Sequence, residues 1–69
     1  MVNYNKLLHM LVDRKMSLPD LARKAGLDLQ VPRRLKHGSY LNLRSIEKIC
    51  KALECEIGDI LEFREDSNG

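Results

Sequence analysis

The sequence predicts an all-α domain of five short helices, and three observations carry that prediction. A chain of 69 residues allows one domain and one core. Tyr4, Tyr40 and Phe63 are the whole aromatic set, so the core must be built from Leu, Ile, Val and Met, as in a small helical bundle. Apolar residues also recur at helical spacing, each run bounded by a capping residue or a glycine. At 43% apolar and 32% charged, the composition is that of a folded chain rather than a disordered one.

Tyr4, Leu7, Leu8, Leu11 and Val12 follow the i, i+3, i+4, i+7, i+8 rule, which predicts a first helix over about 4–15. Ser17 is a good N-cap, and Asp20 three residues on completes a capping box in "SLPD". Met16 and Leu21 are placed to form the accompanying hydrophobic staple, and Pro19 falls in the first turn, where its missing N–H has no helical partner to lose. A second helix then covers about 18–25 and buries Leu18 in part, with Leu21, Ala22 and Ala25. Gly26 ends it as a left-handed residue, Leu27 plugs the turn, and Asp28 can cap the next helical segment, which Gly38 closes. "GSYLN" is a loop. Asn42 caps a fourth helix over about 43–53, with Leu43, Ile46, Ile49, Cys50 and Leu53 facing inward. "EIGDILEF" forms a short fifth helix carrying Ile57, Ile60 and Leu61, with Phe63 just beyond it. "MVNY" and "LEFR" either pair as a two-stranded ribbon or remain plain coil. The domain is expected to span 1–64, with residues 65–69 as a frayed acidic tail.

Charge is distributed unevenly. Residues 1–51 hold eleven Lys/Arg and four Asp/Glu, a balance of 11 − 4 = +7, whereas residues 52–69 hold one Arg and six acids, 1 − 6 = −5. Such a dipolar chain can steer one face toward phosphate, or simply carry a solvated basic surface with an acidic tail. The amino end is polar and no apolar run approaches the ~20 residues that span a bilayer, so a cytoplasmic protein without membrane association is expected.

Catalytic and metal chemistry find little support. Cys50 lies on an apolar helical face and Cys55 in the turn after it, and a tetrahedral zinc site would have to recruit His9 and His37 at unsuitable spacings. Two reduced cysteines, one of them a small core residue, is the preferred reading. No carboxylate pair, base-activated nucleophile or phosphate-cradling glycine loop is evident. A core of this size also leaves little room for a substrate cavity of ~300 Å³ or more. No enzyme activity, cofactor, metal or small-molecule effector is expected.

The stretch "LARKAGLDLQVPRRLKHG" joins the second and third helices by a tight glycine turn, the arrangement of a helix-turn-helix. Ala22 is small where the third helix crosses, Gly26 supplies a positive φ, and Leu27 and Leu35 anchor the third helix to the core. This spacing resembles the Xre type, the Cro and phage-repressor-like helix-turn-helix domains. The closing "LRSIEKICKALECEIGDILEF" is especially similar to a subgroup of very small, single-domain bacterial and phage regulators. The resemblance covers about residues 3–64. It implies base reading by Leu29, Gln30 and Arg34 with Arg33 beside them, Gln30 suiting adenine and Arg34 the O6 and N7 of guanine. It implies phosphate contacts at Leu18, His37, Ser39, Tyr40, Asn42 and Arg44, with Lys36 close by. Arg23, Lys24 and Lys48 fall on or near the same side. A two-fold homodimer on a palindromic operator of double-stranded DNA is expected, with half-sites ~34 Å apart. Leu61 and Phe63 are the candidates for its dimer surface, Phe63 serving equally well as a cover for the core.

Two positions depart from the family pattern. Leu18 stands where a polar phosphate contact is common, and Pro32 stands at the position usually held by a buried Ile or Val. If Asp28 is the cap, Pro32 is the fourth helical residue, lacking the N–H that would bond the Asp28 carbonyl and pressing its ring on that oxygen. Starting regular helix at Pro32 is cheaper, with 28–31 an extended or 3₁₀ approach and the proline ring partly filling the Ile space. A second reading keeps the fold without the duplex. A patch of Leu18, Leu29 and Val31 would then serve a protein partner, as in a phage inhibitor, antirepressor or antitoxin.

Overall fold

The computed structural model describes residues 1–64; the tail expected at 65–69 lies outside the described residues. In chain order it has β1 (Val2–Asn3), α1 (Asn5–Asp13), α2 (Leu18–Ala25), α3 (Val31–His37), α4 (Leu43–Leu53), a 3₁₀ turn (Ile57–Asp59) and β2 (Glu62–Phe63). Four α-helices are present rather than five. The expected fifth is the single 3₁₀ turn, where Gly58 weakens helix and the Glu56 N–H is held by the Asp59 carboxylate at 3.0 Å. The strand pairing of the ends is antiparallel, Val2 with Phe63 and Asn3 with Glu62. The amino group of Met1 donates to the Arg64 carbonyl at 2.8 Å, extending the pair by one residue.

Leu7, Leu21, Leu35, Ile49, Leu53 and Ile60 are fully buried, and Val2, Tyr4, Leu11, Ala22, Val31 and Ile46 complete the core. Every element but the 3₁₀ turn and β2 contributes, and α2 packs on both α3 and α4. Two apolar positions assigned inward by spacing lie outside: Val12 and Leu43 are exposed. Val12 is the penultimate residue of α1, which stops at Asp13 rather than at 15. Leu43 is the first residue of α4, and the core begins one turn later at Ile46.

Local chemistry sets the helix ends. The Ser17 hydroxyl accepts from the Asp20 N–H and the Asp20 carboxylate accepts from the Ser17 N–H, both at 3.1 Å, so the capping box forms as expected. The Asn42 side chain accepts from the Ser45 N–H at 2.8 Å. Gly26 and Gly38 end α2 and α3 at φ +69° and +71°. No atom would obstruct a Cβ at Gly26, so backbone conformation rather than space requires glycine there. At the end of α4 the left-handed residue is Glu54, and the Cys55 N–H reaches back to the Cys50 carbonyl at 3.0 Å. That closure sets both cysteines where a Schellman ending usually has an apolar contact.

Candidate nucleic-acid interface

Pro32 decides how this face is built. Helix α3 starts at Val31, with Gln30 as its N-cap and Pro32 as its second residue. The Arg34 N–H bonds the Gln30 carbonyl at 3.1 Å, and the Val31 N–H bonds the Asp28 carbonyl at 3.1 Å, closing a turn through Leu29 and Gln30. Asp28 therefore does not cap the helix with its side chain. Moving the start past it puts the missing proline N–H in the first turn, where no helical acceptor exists.

The shift also changes which residue is buried. Val31, at 6% exposure, takes the inward position one turn before Leu35, and Pro32 is only half-buried. The proline ring thus does not fill the core as expected. Residues i and i+4 share a helix face, so Leu35 selects Val31 as its neighbour. An apolar patch of Leu18, Leu29 and Val31 does not exist, because Val31 is core and Leu18 packs partly against it.

An open hollow of about 510 Å³ brings Leu29, Gln30 and Arg34 together with Asn42 and Ser45, over a floor of Val31 and Leu41. Asp28 stands at its edge. Leu29 also walls a second, apolar hollow of about 280 Å³ shared with Pro19, Ala22, Leu27, Pro32 and Arg23. Arg33, Lys36, His37, Ser39 and Arg44 are exposed on α3, the loop after it and the start of α4, outside both hollows. Among the described residues the salt bridge is Arg23 to Asp20, and Arg33, Arg34, Lys36 and Arg44 make none. The Asn42 oxygen is committed to its cap, which leaves its amide hydrogens outward. Leu18, at the first turn of α2, offers no side-chain donor, only a main-chain N–H.

Two supports of this face are absent from the sequence-based expectations. The Tyr4 hydroxyl donates to the Ser39 carbonyl at 2.8 Å, tying the loop after α3 to the start of α1. Burial pushes its pKa up, a Leu41 main-chain bond pulls it back, and Tyr40 raises it further. Lys48 donates to the Gly26 carbonyl at 3.4 Å, so α4 holds the helix-turn-helix bend. The apolar spacing accounted for Tyr4 without its hydroxyl. A lysine in the middle of α4 carries no sequence sign of reaching a turn 22 residues away.

Leu61 and Phe63 line a third hollow, about 330 Å³ and almost wholly apolar, with Tyr40, Leu43 and Ile57 at its rim. Phe63 is 76% exposed, so it does not cover the core. Tyr40 belongs to this hollow rather than to the one holding Gln30 and Arg34. Two of the three hollows, about 330 and 510 Å³, exceed the ~300 Å³ for which the small core was expected to leave little room. The apolar one contains two tyrosines and Glu62 but no base beside a nucleophile. Cys50 and Cys55 are half-buried free thiols whose pKa values burial raises, which disfavours the reactive thiolate. Among the described residues no cluster of His, Cys, Asp or Glu could hold a metal ion.

A glycine-closed α2–α3 corner, a buried inner face on α3 and an exposed cationic outer face define a helix-turn-helix protein. The sequence profile of the Cro/C1-type HTH DNA-binding domain matches residues 6–66, and the chain belongs to that family. It is 44% identical over 61 residues to YozG of Bacillus subtilis (strain 168), an uncharacterised HTH-type transcriptional regulator, covering 86% of this chain and 73% of the relative. The crystal structure of the transcriptional regulator VanUg (form II) superposes with a TM-score of 0.85 at 34% identity. That match covers 93% of this chain and 87% of the other.

Proposed function

We propose that the chain is a sequence-specific DNA-binding transcriptional regulator, most simply a repressor, that reads the major groove with segment 28–37. The observation that carries this reading is the pairing of Gln30 and Arg34 in one open hollow, with Arg34 in no salt bridge among the described residues. A glutamine amide can pair with adenine and an arginine with guanine, each through two hydrogen bonds. Arg33 stands beside them on α3, and Lys36, His37, Ser39, Asn42 and Arg44 supply phosphate contacts, with Leu18 contributing only through its main chain. The names of the relatives support the regulatory role, and a regulator of this kind acts in the cytoplasm. No helix among the described residues is long and apolar enough to cross a membrane.

One module of this size covers too little duplex for tight specific binding, so the functional form is a two-fold homodimer on a palindromic operator. The apolar hollow at Leu61 and Phe63 is its interface, because Phe63 has little to pack on in a monomer. A titration against random duplex DNA at several salt concentrations tests the reading. A steep fall of log affinity with log salt, about −0.9 per neutralised phosphate, is expected. Absence of binding in dilute buffer overturns it. On duplexes selected from a random pool, Arg34→Ala should weaken binding by ~1–3 kcal/mol and weaken random DNA much less. Equal losses would reduce Arg34 to a phosphate contact.

A further inference from the structure

The turn that precedes α3 combines features that suit base edges and not phosphates. Leu29 is 92% exposed, the most exposed large apolar residue among those described, and it projects between Asp28 and Gln30. A leucine offers phosphate no hydrogen bond, and the neighbouring carboxylate of Asp28 repels it. If this turn meets a duplex, it must do so where the backbone charge is not its partner.

The leucine is also not alone. It is the shared wall of the two hollows on this face, with Gln30 and Arg34 on one side and the apolar shelf of Pro19, Ala22, Leu27 and Pro32 on the other. The major groove displays hydrogen-bonding atoms along its floor and one kind of apolar group, the methyl on C5 of a pyrimidine. We propose that Leu29, backed by the Pro32 shelf, recognises a pyrimidine C5-methyl group next to the bases read by Gln30 and Arg34. Thymine and 5-methylcytosine both present that group. The closed Asp28–Val31 turn fixes the main chain of Leu29 relative to that of Gln30, so the methyl is read in register with the polar contacts. Removing the methyl leaves the leucine facing water on both sides.

This inference rests on the DNA-binding reading above, and its test separates the two. Duplexes that bind the purified protein are selected from a random pool, and each thymine in the best is replaced singly by deoxyuridine, which removes the methyl and keeps the pairing. One thymine per half-site, beside the most constrained base pairs, should show a loss of about four-fold, the worth of one buried methyl-sized group. In Leu29→Ala, which should fold normally because the side chain is exposed, that thymine-to-uridine difference should vanish while the salt dependence stays. Placing 5-methylcytosine instead of cytosine at the same site distinguishes the sources. A gain with wild type but not with Leu29→Ala extends the reading to both pyrimidines, and no gain confines it to thymine. If uridine costs nothing at any position, or costs the same in Leu29→Ala, the inference is overturned while DNA binding stands. If no duplex binds at low salt, both are overturned.

Discussion

Tyr4 sits at the junction of α1 with the strand pair, and its hydroxyl ties the loop after α3 to the start of α1. Tyr4→Phe keeps the ring in the core and deletes that bond. The expected loss is about 0.5–1.5 kcal/mol, read as a lower melting temperature, with weaker duplex binding because the loop carries Ser39 and Asn42. An unchanged melt would show that the Ser39 carbonyl finds an equal partner. Asp20 gives a test by pH. Its carboxyl is held below the usual aspartate range, first by the Ser17 main-chain N–H, then by the Ser17 hydroxyl, with Arg23 adding. A lowered native pKa means stability that is present above the ordinary aspartate value and lost as pH falls through the depressed one. Asp20→Asn should therefore melt earlier than wild type at neutral pH and converge with it in acid. Curves that stay parallel down to strong acid would remove the capping box as the cause.

Helix α3 illustrates why a proline can sit inside the proposed base-reading segment. Proline is costly where its N–H is needed and harmless in the first turn, so the helix begins at Val31 and the three residues before it form a turn. In that position the ring restricts the unfolded chain without straining the folded one. Pro32→Ala is accordingly expected to lower stability by about 0.4–1 kcal/mol in chemical denaturation. A gain would mean that the Val31–Pro32 start is strained. The sequence indicated a late helix start but not its partner in the core. Spacing from Leu35 selects position 31, whereas the family pattern drew attention to position 32. Likewise, "EIGDILEF" has helical spacing, but closure of the strand pair takes the chain after a single 3₁₀ turn.

At the scale of the molecule, charge and apolarity are separated. Arg34 lines the hollow of Gln30, and the other cationic residues of α3 and the start of α4 are exposed outside it, while Leu43, Ile57, Leu61 and Phe63 line an apolar one. Leu41 lines both, so a partner seated on the second would lie close to the first. Phe63→Ser should shift the sedimentation of the protein toward monomer and reduce cooperative binding to a palindromic duplex. Its melt should change by no more than about 0.5 kcal/mol at concentrations where both proteins are monomeric, since an exposed side chain holds little of the fold. A monomeric wild type at micromolar concentration would remove this surface as the dimer interface.

Local chemistry determined the elements that the sequence disclosed by itself. Capping residues, left-handed glycines and helical spacing act between neighbours three or four apart, so α2, α4 and the glycine-closed ends of α2 and α3 were legible. The exposed candidates Leu29, Gln30 and Arg34 were legible only through the resemblance. Tertiary packing decided the rest: the burial of Val31 instead of Pro32, the exposure of Leu43 and Phe63, and the anchoring of the interface by Tyr4 and Lys48. Those outcomes depend on which surfaces meet across distant parts of the chain, and no pattern confined to one turn of helix encodes that.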